Sequence, residues 1–167
     1  PMRIATWNIN SIKVRQQAVC DWLVAGNADV LCLQEIKCET AAFPSEVFQE
    51  LGFECAVLGQ KSYNGVALLS KLGLEDVREG LPGDADDAQA RYVEAIVQGV
   101  RVGCLYLPNG NPADDPAKYD YKLAWMRRLE AHARDLLGQG LPFVLAGDYN
   151  VIPMPTDCWD VSEWSED

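Results

Sequence analysis

Two rhythms alternate along the chain. Stretches of strand length rich in apolar residues occur at 2–9 (MRIATWNI) and 29–36 (DVLCLQEI), and both read as buried strands. Between them Ile12, Val19, Trp22 and Leu23 recur near one helical face, with Ser11 as a candidate N-cap and Gly26-Asn27 as the stop. A short helix is expected at 45–51, capped by Ser45. Strand-like segments then crowd together at 53–58, 65–70, 74–79, 91–97 and 100–107, and the turn signals between them predict antiparallel pairing and hairpins. After a Pro/Asn/Asp loop at 108–116 the helical rhythm returns. Over 117–137 it presents Tyr119, Leu123, Met126, Leu129, Ala133 and Leu137 as one stripe. Gly138 and Gly140 end that helix, and 141–147 is a last apolar strand.

Helices at both ends of a strand-rich middle predict an α/β (α+β) domain, a layered mixed sheet with flanking helices, running as one unit over 2–167. The last segment, TDCWDVSEWSED, is too short and acidic to complete a layer. A sheet with helices on one face needs cover on the other, and the element order does not reveal where that cover comes from.

Length and composition fit one folded domain: 167 residues, 49% hydrophobic. No apolar run approaches the ~18 residues of a membrane span, and the N-terminus lacks a secretory signal, so no membrane association is expected. Six cysteines include no CxxC pair, which argues against a disulfide framework or zinc site and for a reducing cytoplasm. Net charge is −11, from 25 acids against 14 bases. That is the wrong sign for blanket attraction to nucleic-acid phosphates, although a small basic patch with a divalent cation can invert the field locally. The acids of DADD (84–87), those near Asp114 and Asp115, and those of the tail read as solvated loops.

The chemistry lies at strand ends. IATWN ends in Asn8, VLCLQE in Glu35 and FVLAGD in Asp148, and Asn10 and Asn150 follow two residues after the first and last. Ligands of layered α/β sheets bind at the carboxyl ends of strands. Acids and amides without thiol or imidazole are hard oxygen donors of the kind that suits Mg²⁺ or Mn²⁺. Each residue also has an ordinary use, as a cap or turn residue or, for Glu35, as a partner of Lys37. The Asp-x-Asp of aspartyl phosphatases is broken by Asn150, and no Gly-rich phosphate loop occurs.

In order and spacing, ATWNINSIKVR (5–15), DVLCLQEIKC (29–38), YNGVALLSK (63–71), LYLPNGNP (105–112) and LAGDYNVIP (145–153) resemble the exonuclease III family of DNA-repair nucleases and abasic-site endonucleases. The wider superfamily also holds inositol-lipid phosphatases and sphingomyelin phosphodiesterases. The resemblance implies the first half of a four-layer αββα sandwich and Mg²⁺-dependent hydrolysis of phosphodiester bonds in duplex DNA, abasic or 3′-blocked. It implies metal-holding roles for Asn8, Glu35, Asp148 and Asn150, and catalytic roles for Tyr106, Asp148 and Asn150. Asn10, Lys37 and Asn109 would meet the substrate, with Lys13 and Arg15 in the local positive patch. Arg127 and Arg128 read as solvated, and Trp7 as core beside the site.

The match breaks at two points. The family pattern continues into a second half that ends in Ser-Asp-His, which does not occur here, and Ile36 replaces a hydroxyl residue. The one histidine, His132, lies mid-helix and reads as a packing or surface residue. The expectation is therefore a piece of a longer protein, monomeric at full length. As a half-domain it would leave the first sheet's apolar face open and could self-associate.

Overall fold

The computed structural model describes residues 1–111 and 114–158. The acidic residues 159–167 and the Pro-Ala pair at 112–113 lie outside the described residues. In chain order the elements are β1 (Ile4–Asn8), α1 (Ile12–Val24), β2 (Val30–Gln34), α2 (Ser45–Glu50), β3 (Glu54–Leu58), β4 (Val66–Ser70), β5 (Glu75–Glu79), β6 (Tyr92–Val97), β7 (Val100–Tyr106), α3 (Pro116–Gly138) and β8 (Phe143–Asp148). Short 3₁₀ turns at Thr40–Ala42 and Pro155–Asp157 complete the order. Among the described residues no helix is long and apolar enough to cross a membrane.

The strands form two four-stranded mixed sheets, β1-β2-β4-β3 and β5-β6-β7-β8. In each, one parallel pair (β1 with β2, β7 with β8) adjoins antiparallel neighbours. The predicted run of hairpins is thus divided: the chain leaves one sheet after β4 and enters the other at β5. One tight hairpin remains, β6 to β7, where Gln98 and Gly99 both take positive φ (47° and 79°) as a two-residue turn requires.

Strand β2 explains why its apolar run is continuous. Leu31 and Leu33 face a cluster with Ile12, Val19 and Leu23 of α1 and Phe48 of α2. Val30 and Cys32, at the alternate positions, face Val93, Ala95, Val102 and Cys104 of the second sheet. Behind that sheet, Tyr92 and Leu105 pack on Trp125 and Leu129 of α3. Each fully buried side chain of this kind contributes roughly 1.5–3 kcal/mol. The layers are therefore helix, sheet, sheet, helix, all drawn from the described residues. The expectation of an open first sheet is corrected: β6 and β7 already cover its inner face.

Helix α3 starts as its sequence dictates, with Pro116 in the first turn and the Asp115 carboxylate accepting from Ala117 N at 3.2 Å. Asp115 is thus a cap rather than a free loop acid. The expected stripe is corrected by about one residue of rotation. Trp125, Leu129, His132 and Leu136 are buried, whereas Tyr119, Met126 and Leu137 are exposed. The inner face hides its polarity by pairing it. Arg128 Nη1 donates to Asp87 at 2.7 Å, its Nη2 to Leu81 O at 2.6 Å, and the Tyr121 hydroxyl reaches Asp87 at 2.8 Å. Arg128 and Asp87 are accordingly structural and half-buried, not solvated, while Arg127 is exposed as expected. His132 is 6% exposed; its Nε2 lies 2.6 Å from Glu94 Oε1, whose other oxygen accepts from Arg101 at 2.9 Å.

Candidate active site

The two parallel pairs bring four strand ends together. Register pairs Asn8 with Gln34 in one sheet and Tyr106 with Asp148 in the other. Two hydrogen bonds then join the sheets at that end. Asn8 Nδ2 donates to Asp148 Oδ2 at 2.9 Å, and the Tyr106 hydroxyl donates to Glu35 Oε1. Asn8, Glu35, Tyr106 and Asp148, from four different strand ends, thus form one cluster.

The backbone around them is unusual. Asn10, Ser11, Glu35, Lys37 and Asn150 all have positive φ, between 45° and 91°. For residues bearing a Cβ this conformation costs about 1–2 kcal/mol each, and such strain gathers where side chains must be aimed. Around β2 it is held by Ser11 N to Glu35 O (2.8 Å), Ile12 N to Ile36 O (3.1 Å) and Lys37 N to Asn64 O (2.9 Å). Ser11 has no capping side-chain bond to α1, so its role is in this crossing rather than in the predicted cap. In FVLAGD the glycine is obligatory: a Cβ on Gly147 would stand 2.0 Å from Leu105 O of the adjacent strand.

Glu35 is flanked by Lys37, whose Nζ is 3.7 Å from Oε2 and also donates to Asn10 Oδ1. Asn10 N in turn donates to Asn8 Oδ1 at 3.2 Å. Asp148 Oδ1 accepts from Asn150 N at 3.0 Å, and Asn150 Nδ2 donates to Leu107 O at 2.7 Å, which fixes the plane of its amide. Burial, then the hydrogen bond and charge of Glu35, push the Tyr106 phenol well above its ordinary value of 10. Its hydroxyl, already protonated at neutral pH with an ordinary value of 10, is held still more firmly as a donor. Arg91, stacked 4.8 Å from the Tyr106 ring centroid, opposes that rise, and its Nη1 donates to Tyr106 O at 3.1 Å.

Asn109 is set apart from Glu35. It lines an open cleft of about 770 Å³ with Asn111, Lys122, Asp148 and Asn150, and Asp148 belongs to both regions. Lys13 and Arg15 are exposed on α1 with no side-chain bond to the cluster among the described residues. Trp7 is half-buried, edge-on to Trp22 at 6.1 Å. Sequence reasoning missed three contributors. Gln34 is buried and bonded to Thr6 Oγ1 at 2.9 Å beneath the cluster. Arg91 immediately precedes β6 and Lys122 lies within α3, and neither position carries a local motif.

The donors around Glu35 and Asp148 are carboxylate and amide oxygens. Among the described residues no group of three His, Cys, Asp or Glu side chains could hold a metal unaided. A small hard cation that keeps most of its waters fits such a set, and a thiol- or imidazole-loving one does not.

The chain was compared with known proteins. It is 31% identical over 161 residues to exodeoxyribonuclease III of Haemophilus influenzae, covering 93% of this chain and 60% of that protein. Among solved structures it resembles a 3′ phosphatase from Neisseria bound to a product DNA hairpin, at 41% identity and a TM-score of 0.93, over 98% of this chain and 63% of the other. It also resembles an AP endonuclease from Archaeoglobus fulgidus, at 36% identity and a TM-score of 0.88, over 99% and 63%. The chain thus spans about three fifths of the length of these relatives. The two mixed sheets with outer helices are the fold that it shares with them. A family model matches residues 5–165, and with the strand-end cluster inside that span the chain belongs to the endonuclease/exonuclease/phosphatase family.

Proposed function

We propose that the protein to which this chain belongs hydrolyses phosphodiester bonds in duplex DNA, cutting at abasic sites and trimming blocked 3′ ends, with Mg²⁺ or Mn²⁺ as cofactor. The observation that carries this reading is the pair of cross-sheet hydrogen bonds, Asn8 to Asp148 and Tyr106 to Glu35, which gather acid, amide and phenol at one point. The relatives named nuclease, 3′ phosphatase and AP endonuclease supply the substrate class.

Glu35 with Asn8, and Asp148 with Asn150, would hold the cation. When bound it neutralises charge at the phosphate and on the leaving oxygen. The chain's own groups do the rest. Asp148, oriented by donors from Asn8 and from Asn150 N, accepts a hydrogen bond from the attacking water and aligns it. Tyr106, protonated and buried, has a single O–H, which would turn from Glu35 to an oxygen that gains charge. Asn150, its amide held by Leu107 O, offers its remaining N–H to the phosphate. Asn10 and Lys37 contribute a donor and a positive charge beside Glu35, and Asn109 meets the strand in the adjacent cleft.

The test is a duplex with one abasic analogue, incubated with the protein at its natural length in Mg²⁺ or in EDTA. Cutting is expected in Mg²⁺ alone, and Glu35→Ala or Asp148→Asn lowers the rate by about 10²–10⁴-fold. Absence of cutting by the unaltered protein, or cutting indifferent to both substitutions, rejects the reading. The net charge of −11 favours a second reading, hydrolysis of a phosphorylated small molecule or lipid head group. Turnover of such a compound with no action on DNA would replace the first.

A further inference from the structure

The cleft beside Asp148 contains a cation to which nothing above gives a role. Lys122 sits in the second turn of α3, half-buried, and its Nζ donates to two main-chain carbonyls, Asn109 O at 3.2 Å and Asn150 O at 3.0 Å. One carbonyl follows β7 and the other follows β8. A single ammonium therefore clamps together the two loops that carry Asn109 and Asn150. The loop is shaped around the lysine stem: Gly110 has φ 75°, and a Cβ there would meet Lys122 Cδ at 2.8 Å.

Two features go beyond clamping. Both acceptors are neutral, and among the described residues no carboxylate lies within ion-pair distance of Lys122, so its charge is not cancelled. Buried Arg101 and half-buried Arg128, by contrast, are each matched by an acid at 2.7–2.9 Å, whereas half-buried Arg91 bonds to the Gln89 side chain and Tyr106 O. An ammonium also has three donors, of which the carbonyls use two. The third N–H and the full charge remain for something else, on the wall of a cleft that Asp148 and Asn150 also line.

We propose that Lys122 is a phosphate-binding residue of this site: it holds a non-bridging phosphate oxygen of the nucleic-acid strand while fixing the Asn109 and Asn150 loops around it. The inference rests on the phosphodiesterase reading above. In a protein of net charge −11 an unmatched cation beside the candidate catalytic acid is what makes the local field attractive to a polyanion.

The experiment is equilibrium binding of a fluorescent duplex carrying one abasic analogue, followed by anisotropy in EDTA across a range of NaCl concentrations. It uses the protein at its natural length. Lys122→Gln removes the charge and keeps a donor, and Lys122→Arg keeps the charge. Loss of one phosphate contact lowers the slope of log K against log salt by about 1. That loss is expected for Lys122→Gln together with about 3–10-fold weaker binding, and Lys122→Arg should restore both. A structural clamp alone would lower the melting temperature of Lys122→Gln without changing the slope, and that result overturns the proposal. An unaltered slope in a well-folded Lys122→Gln protein does the same, as does a slope that Lys122→Arg fails to recover. Cutting by the unaltered protein in Mg²⁺ is scored separately. If it cuts while the slopes agree, only the assignment of Lys122 falls; if it neither binds nor cuts, the phosphodiesterase reading falls with it.

Discussion

Tyr106 is the residue whose chemistry depends most on its neighbours. It was named from a motif, and as an isolated strand-end tyrosine it would have read as packing. Its hydroxyl donates to Glu35 and its ring lies under Arg91, so it is both packed and in contact with the candidate site. Tyr106→Phe keeps the ring and deletes one donor, so the fold should persist while the rate on the abasic duplex falls about 10²–10³-fold. The same environment sets a pH expectation. Because the folded state holds the phenolic proton more tightly than the unfolded state, this group's contribution is complete below pH 10 and is lost only above it. Thermal melts in EDTA should therefore show no loss of stability from Tyr106 up to pH 10. A decline near pH 9 that vanishes in Tyr106→Phe contradicts this. Asn8, Glu35 and Asp148 were legible because strand ends bearing oxygen are rare enough to notice together. Lys122 and Arg91 were not, since a lysine in a helix and an arginine at a strand start look like ordinary surface until the fold brings loops to them.

Among the elements, β2 and β8 were legible because their apolar runs are short and uninterrupted, while α3 was read in the wrong phase. Its inner face carries Arg128 and His132, and a hydrophobic pattern discounts polar residues whose partners come from remote segments. Glu94 and Arg101, on the neighbouring strands β6 and β7, join His132 in a buried set that extends outward to Asp76 on β5. Hydrogen bonds from Arg101 and then Arg78 hold the Asp76 carboxyl below its ordinary value of 3.8. A depressed carboxyl stabilises the fold above its unfolded value and loses that effect as pH falls through the folded one. Thermal melts from pH 6 to pH 2 should show Asp76→Asn melting below the unaltered protein at pH 6, with the gap closing below about pH 3.8. A gap constant down to pH 2 would assign the effect to packing instead.

For the whole molecule, the element order pointed to layers and the family resemblance to a four-layer sandwich. The resemblance also suggested that half a sandwich would lack its second sheet. That was wrong because the chain divides by strands rather than by layers: both sheets are present, and β8 stands at the end of its sheet among the described residues. Its surroundings remain apolar. Val144, Tyr149, Val151 and Ile152 are exposed, and beside them Leu123, Met126 and Ala133 of α3 line a groove of about 490 Å³ with Leu107 and Leu145. An unpaired strand edge next to an apolar surface favours association. The 167-residue chain alone should show a mass by light scattering that rises with concentration. A monomeric mass throughout would show that this edge is protected.

The hydrogen bonds from Asn8 to Asp148 and from Tyr106 to Glu35 have a further bearing on how the molecule matures. Neither sheet owns the candidate centre; each contributes two of its four side chains, and neither pair has its cross-sheet partner until the sheets have docked. Packing of Val30 and Cys32 against Val93 and Cys104 and assembly of the candidate centre thus depend on the same docking of the two sheets. A folding intermediate with both sheets formed but not docked would hold every strand and no centre.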